Sequence, residues 1–436
     1  MKNWLFNFEI LYFNRKDGDI MEFIENIEKK EFDQFVKNNK KSHFLQSYAW
    51  GEFCQKSKGL KAYYVGMKDG KKIVAATLLL QKKLYLGYSY FYAPRGYILD
   101  FDNQEILEEF TKLIKKFAKE KKAIFVKIDP DLKRHNIDLD GNIVDEGNNN
   151  YALIENLKKL GYKHLGFNQN FERSQPRYTF RLNLTPTIEE ITNHFHNSTK
   201  KIMKKGNPFE LEILKDEDAN IDEFYLTMKE TAKREKIACF SKEYYENFYK
   251  VLHKYNQSNL YEVRVDIVKL KNIYHNQIKE LEKNSKTIKS ENKLQEYKNQ
   301  IQKIEKELSR LDDIKEDKIV LSSIITAKFG NKVWTIHGGN NSVLRELNAN
   351  YLIYYEIIKD AKKDGYEYID FFGTTGNPDP NNPVYGIHLF KKRLNGEYLE
   401  FIGEFDLVIN KFLYTVFNGL IPTYRKLVKF IQRKKA

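Results

Sequence analysis

Apolar and polar residues alternate strongly through residues 62–92, which read AYYVGMK, then DGKK, then IVAATLLLQKK, then YSYFYAPRG. A two-residue period rich in aromatic and β-branched side chains predicts strands, and Asp69-Gly70 between two such runs is a hairpin signal. The period then lengthens. EILEEFTKLIKKFAKEKK over 105–122 carries apolar residues at helical spacing, and AIFVKIDP over 123–130 predicts a buried strand. The unit is hairpin, strand, helix, strand. Residues 261–371 repeat it, with strands LYEVRVDIVKL, IVLSSIITAKF and NKVWTIHGG, a helix from Arg345 to Lys363, and a strand YEYIDFFG.

Where the first unit turns through DGKK, the second carries the whole stretch 269–313. Within it, LQEYKNQIQKIEKELSRL places Leu294, Tyr297, Ile301, Ile304, Leu308 and Leu311 in steps of three and four, a heptad seam. Ile267, Leu270, Tyr274 and Leu281 form an outgoing seam, KNSKTIKSEN the tip, and 291–312 the return. Its acidic and basic residues nearly balance, so it does not read as a clamp for a polyanion, and a solvated hairpin with no ligand fits the same pattern. Residues 193–213 read as a basic helical segment running into a strand, and 222–255 as two helices broken near Ala238–Ser241. The expected fold class is α+β: two GNAT-like acyltransferase domains with an inserted antiparallel coiled-coil helical arm. The expected boundaries are an extension over 1–20, a first domain over 21–190, a second over 191–268 and 314–412, the arm over 269–313, and a basic amphipathic tail over 413–436.

Composition narrows the class. In a chain of 436 residues, 41% hydrophobic and 14% aromatic content provides enough apolar surface to offset chain entropy, which excludes a disordered protein. Two cysteines, Cys54 and Cys239, exclude a disulfide framework and fit a reducing compartment. Nine scattered histidines show no zinc spacing, so no metal and no cofactor is expected. MKNWLFNFEILYF is short, is interrupted by Glu9, and lacks a cleavage site. With a second start at Met21, residues 1–20 read as an upstream extension. With no longer apolar run, a cytoplasmic protein is expected. The net charge of +14 favours a polyanionic partner such as tRNA, nucleotide phosphates or an anionic membrane face. Lysine enrichment from an AT-rich coding sequence explains the charge equally well.

Three stretches carry candidate chemistry. In YAPRGYILDF a Pro-Arg-Gly bend at a strand end sets Arg95 beside sparsely covered backbone, although an arginine in an ordinary exposed turn reads the same way. In FFGTTGNPDPNNPVYGIHLFKKRLNGE a strand ends in a long Gly-, Asn- and Pro-rich loop, and Phe390 beside Lys391 suits a base next to a phosphate. KFGNKVWTIHGGNNS ends a strand at His337, either a pH-sensitive donor or a polar terminus. No triad elbow, P-loop, Q/R-x-x-G-x-G/A phosphate loop or paired-carboxylate arrangement is present. That favours acyl transfer from an already activated donor, without a covalent enzyme nucleophile, and counts against an acetyl-CoA enzyme.

FLQSYAWGEF (44–53), YAPRGYILDF (92–101), VKIDPDL (126–132), YEYIDFFGTTG (366–376) and VYGIHLFKKRLNGEYLEFIGEFDL (384–407), in this order, resemble the Fem family of aminoacyl-tRNA-dependent transferases, which build peptidoglycan interpeptide bridges. The resemblance runs from about Met21 to Leu407. It implies two GNAT-like domains with a coiled-coil arm, aminoacyl-tRNA as donor, lipid II or UDP-MurNAc-pentapeptide as acceptor, and other Fem-like transferases as candidate partners. By position, Lys391 would be the basic residue at the reacting ester and Phe390 the aromatic at the tRNA 3′ end, with Tyr385 and Gly386 in the same motif. Tyr244 would meet the nucleotide-sugar acceptor, and Asp129 would be a site-lining carboxylate and proton acceptor. Phe240 and His337 depart from an Arg and a Tyr of the pattern, and the Lys that follows the Trp of QSYAW is missing. These departures favour a lipid-linked acceptor.

Two other classes fit the residues: an inactive Fem-like tRNA- or membrane-binding accessory protein, and a GNAT N-acyltransferase acting on a small molecule. The tail LYTVFNGLIPTYRKLVKFIQRKKA suits an amphipathic anchor on an anionic inner leaflet, and equally a terminal helix packed on the second domain.

Overall fold

A computed structural model of the chain describes residues 11–14, 20–144, 147, 149–235 and 237–420. These form a mixed α+β protein built on two sheets, of nine and eight strands. The amphipathic segment expected over 422–436 lies outside the described residues.

The first sheet contains the hairpin Lys61–Asp69 and Lys72–Lys83, followed by Ser89–Ala93 parallel to Ala123–Ile128. The helix Gln104–Glu120 makes the crossover; its apolar face, including Leu107, Phe110, Ile114 and Phe117, is buried against the sheet, with Asn103 capping its start. The second sheet repeats the plan. Leu260–Asp266 pairs with Lys318–Phe329, which pairs with Lys332–Asn340, and this strand lies parallel to Tyr368–Thr374 after the helix Ala349–Lys363. The expected start of that helix at Arg345 is moved to Ala349. Leu344 and Asn348 both adopt left-handed backbone, which isolates Arg345–Leu347 as a single tight turn.

The sheets exchange strands across the expected boundaries. Tyr178–Asn183, expected within 21–190, pairs with Tyr368–Thr374 and Glu397–Phe401 in the second sheet, and Lys133–Asn136 joins the same sheet. Phe405–Val408, expected within 314–412, lies between Ala123–Ile128 and Tyr162–His164 in the first. Leu11–Asn14, inside the expected extension, pairs with Ile20–Ile24 on the first sheet's edge. A strand's own hydrophobic period does not say which partner its backbone will meet, so these memberships are long-range outcomes.

The stretch 269–313 forms the greater part of two helices, Ile267–Ser285 and Glu291–Asp312. They are antiparallel: Lys271 near the start of one pairs with Asp312 at the end of the other, at 2.6 Å. Ile267, Leu270, Tyr274 and Leu311 are buried in the core against the second sheet, while Leu281, Leu294, Tyr297 and Ile301 further out are only half-buried.

Candidate functional site

In the second sheet the parallel strands pair only from Lys332 to Trp334, opposite Tyr368 to Asp370. Beyond that they part, and the gap is a cleft of about 600 Å³. Ile336 and Gly338 line one side, and Phe371, Phe372 and Gly373 the other. Tyr351 and Tyr354 enter from the helix Ala349–Lys363. Gly386, Ile387, Phe390 and Lys391 enter from the helix Tyr385–Lys392, an element the Gly-Asn-Pro loop before it conceals in the sequence. Arg234 and Arg345 stand at the polar end with Asn340, Asn341 and Asn348.

Lys391 is buried at the head of this cleft. Its Nζ donates to the carbonyls of Phe372 at 2.9 Å and Gly373 at 2.7 Å. An ammonium has three N–H groups, so one remains for a ligand. Burial lowers its pKa to about 7, with the Asp370 carboxylate pulling the other way. The amine therefore exchanges a proton near neutral pH. Phe390 packs against Tyr354 and Tyr351, with ring centroids 4.9 and 5.2 Å apart, which gives the cleft a rigid aromatic wall.

The strand end that holds Lys391 is itself held. Phe372 adopts left-handed backbone, and its N–H donates to the Asp370 carboxylate at 2.8 Å. A Cβ on Gly373 would lie 2.3 Å from Pro176 Cγ, so only glycine lets Pro176 approach. Asp370 is ion-paired by Arg181 at 3.0 Å, and Arg181 also reaches Asp131 at 2.9 Å. Burial works against the Arg181 charge, but the Asp131 and Asp370 carboxylates outweigh it and raise its pKa, and Arg181 in turn holds Asp131 well below the usual carboxylate range against its own burial.

Asp129 and Arg95 lie at the junction of the two sheets. The Arg95 N–H and the Tyr92 hydroxyl donate to the Asp129 carboxylate at 2.7 and 2.9 Å. Burial pushes that carboxyl up to about 7, against the opposing pull of Arg95. The Arg95 guanidinium donates to the Pro176 carbonyl at 2.6 Å and lies over the Phe401 ring, beside a void of only about 10 Å³. Asp129 and Lys391 have no contact with one another among the described hydrogen bonds and ion pairs. The carboxylate whose charge acts on Lys391 is Asp370.

Tyr244 and His337 form a third group. His337 points to the opposite face of its strand from Gly338, into Tyr245, Phe248 and Tyr244 with centroids 5.1, 5.2 and 5.9 Å away. Burial lowers its pKa to about 3, so the ring is neutral. Phe240 stacks on Tyr244 at 4.1 Å and meets His337 edge-on at 6.0 Å. The two departures from the sequence pattern therefore touch.

Of the expected residues, the cleft gathers Lys391, Phe390 and Gly386, with Tyr385 opening their helix. Arg95 and Asp129 belong to the junction, and Tyr244 and His337 to the aromatic cluster. Tyr351, Tyr354, Asp370 and Arg181 were not singled out from the sequence. An acid inside YIDFF and an arginine inside YTFRLN were the visible signals, because a charge in an apolar strand requires a buried partner. Among the described residues no three metal-ligating side chains gather, and no helix is long and apolar enough to cross a membrane.

A family model described as the FemAB family matches residues 27–421. The lipid II:glycine glycyltransferase of Staphylococcus aureus (strain USA300) is 30% identical over 434 residues, covering 94% of this chain and 98% of that protein. The protein of the same name from Staphylococcus epidermidis (strain ATCC 12228 / FDA PCI 1200) is 28% identical over 423 residues, with 94% and 98% covered. The crystal structure of FemX matches with a TM-score of 0.72 at 27% identity, over 91% of this chain and 99% of that one.

Proposed function

We propose, from the premise that this chain belongs to the FemAB family, that it is an aminoacyltransferase acting on the stem peptide of a peptidoglycan precursor. The donor is an amino acid esterified to tRNA, and no further cofactor takes part. The observation that carries the reading is the buried Lys391 at the head of an aromatic cleft, with one N–H free for a ligand. In this reading the two sheets are GNAT-like acyltransferase lobes and the helical hairpin is a coiled-coil arm.

An ester donor makes amide formation downhill without ATP. The enzyme has to hold the acceptor amine against the ester carbonyl, receive its proton and stabilise the oxyanion. The C–N bond forms, the ester C–O bond breaks, and the amine proton ends on the departing ribose hydroxyl. As an ammonium, Lys391 offers its free N–H to the oxyanion. With a pKa near 7 it can also pass a proton to the leaving oxygen and regain one.

The lipid-linked acceptor is favoured over the nucleotide-linked one. The cluster of Phe240, Tyr244 and neutral His337 presents rings where a diphosphate would need a guanidinium. The staphylococcal relatives are named for lipid II and glycine, so glycyl-tRNA with lipid II is the first pair to test. The protein then works at the inner face of the plasma membrane. Purified protein incubated with pooled aminoacyl-tRNAs and either lipid II or UDP-MurNAc-pentapeptide should yield lipid II heavier by one aminoacyl residue. Unchanged masses for both acceptors would refute the reading.

A further inference from the structure

Leu86 and Phe412 are the most exposed of the large apolar side chains described, at 93% and 75%. Both belong to one end of the first sheet. Leu86 tops the hairpin that joins Lys72–Lys83 to Ser89–Ala93, closed by the Leu84 N–H donating to the Tyr88 carbonyl at 2.8 Å. Phe412 lies in the short helix Lys411–Thr415. An aromatic cluster ties the two together. Phe125 stacks on Tyr90 at 4.9 Å and meets Tyr414 at 5.4 Å and Phe417 at 6.0 Å, and Leu84, Tyr88 and Leu413 pack on the same group. The base is therefore rigid, while Leu86 and Phe412 stand out from it.

We infer that this face docks on an anionic phospholipid surface, with Leu86 and Phe412 inserted at the headgroup level. Lys82, Lys83, Lys122 and Lys411 are exposed around it. Of the nearby acids, Glu25 is already paired with Lys121 at 3.2 Å, which leaves Glu120 as the exposed acid on the adjoining helix end. Val416–Leu420 follows this cluster, with Phe417 packed on it, and the sequence 421–436 contains Arg425, Lys426, Lys429, Arg433, Lys434 and Lys435 and no Asp or Glu. Isolated apolar points ringed by cations match a lipid interface, where the points enter the acyl boundary and the cations meet phosphates. A protein partner would need a continuous covered area of about 800 Å² per side rather than two projections.

The placement suits the proposed acceptor but does not depend on it. Ser89–Ala93 and Ala123–Ile128 run from this face to Arg95 and Asp129, so five or six residues hold the junction about 20 Å from the lipid. That leaves room for a stem peptide rising from a lipid-linked sugar.

The test is co-sedimentation of the full chain with vesicles of phosphatidylcholine, alone or with about a third phosphatidylglycerol. No donor or acceptor is added, so its failure and that of the transferase reading are separate results. The wild-type chain should sediment with the anionic vesicles and not with the neutral ones. Leu86→Glu combined with Phe412→Glu should lower the bound fraction about tenfold or more. Its melting temperature should not change, because both side chains are exposed. A wild-type chain that ignores anionic vesicles would overturn the inference. So would a double variant that binds them as well as wild type, whether or not deletion of 421–436 abolishes binding.

Discussion

The Nζ of Lys391 lies 2.7 Å from the carbonyl oxygen of Gly373, and this contact ties the helix Tyr385–Lys392 to the end of the strand Tyr368–Thr374. It is a cation held by backbone dipoles and not by a carboxylate partner. A salt-bridged lysine would be a fixed charge. One held by carbonyls in a buried site titrates near neutrality, which suits an acyl transfer that needs a proton both stabilised and moved.

Lys391→Met tests this through pH. Burial holds the folded pKa at about 7, against about 10.4 for an unfolded lysine. Between those values the unfolded chain binds a proton that the folded chain does not. Stability from this group therefore rises with pH across that window, and below it the cost of burying the ammonium is complete. The methionine variant should gain in melting temperature relative to wild type at pH 6, and should gain less at pH 9. Transfer should fall by about 100-fold or more. Equal shifts at the two pH values would show that the amine keeps its proton throughout this range and that burial does not lower its pKa.

Asp129 has the opposite sign. Its folded pKa is about 7, against about 3.9 unfolded, so the folded state keeps a proton that the unfolded state has released. Stability from this group falls as pH rises through that interval, and the penalty is complete above it. Asp129→Asn keeps an acceptor for the Arg95 N–H and removes the penalty. It should melt above wild type at pH 8, with the difference vanishing by pH 4. With no contact to Lys391, the variant should retain transfer to within about tenfold. A larger loss would place the carboxylate in the reaction, as the sequence resemblance implies.

Local periodicity was legible. The return helix expected over 291–312 is Glu291–Asp312, and the break near Ala238–Ser241 falls between the helices Ile221–Glu235 and Lys242–Lys254. Sheet membership was not, because Tyr178–Asn183 and Phe405–Val408 choose partners through backbone bonds with residues far along the chain. The site was legible in part. The motif around Lys391 stands out by resemblance, but its burial depends on Phe372 and Gly373 turning their carbonyls inward, a geometry set by Asp370 and Pro176. Asp370 and Arg181 broke the apolar pattern of their strands, yet nothing local says that they meet.

That pairing predicts a large stability effect. Arg181→Met would leave the Asp131 and Asp370 carboxylates buried without their common cation. Removing one partner of such a buried set costs about 3–5 kcal/mol. Urea unfolding should show that loss at pH 7, and Arg181→Lys should restore only part of it, because a single ammonium point lacks the planar guanidinium whose Nε and Nη2 make four contacts to the two acids. A loss under about 1 kcal/mol would mean that water already reaches the cluster.

The helical hairpin divides into a base that folds the protein and an outer part that does not. Tyr274, Leu270 and Leu311 are buried with Ile267 in the second core, whereas no described residue from 275 to 303 is buried. Leu270→Ala should therefore cost about 2–5 kcal/mol. Replacing 277–303 with a short glycine-containing turn should lower the melting temperature by no more than about 4 °C. The truncated chain then isolates the arm's role. If it melts as expected but no longer transfers the amino acid, the outer arm contacts a substrate or partner. If transfer persists, the reaction needs only the cleft and the junction. A fall in melting temperature of about 10 °C or more would show that the outer helices support the core, and the division drawn here would be wrong.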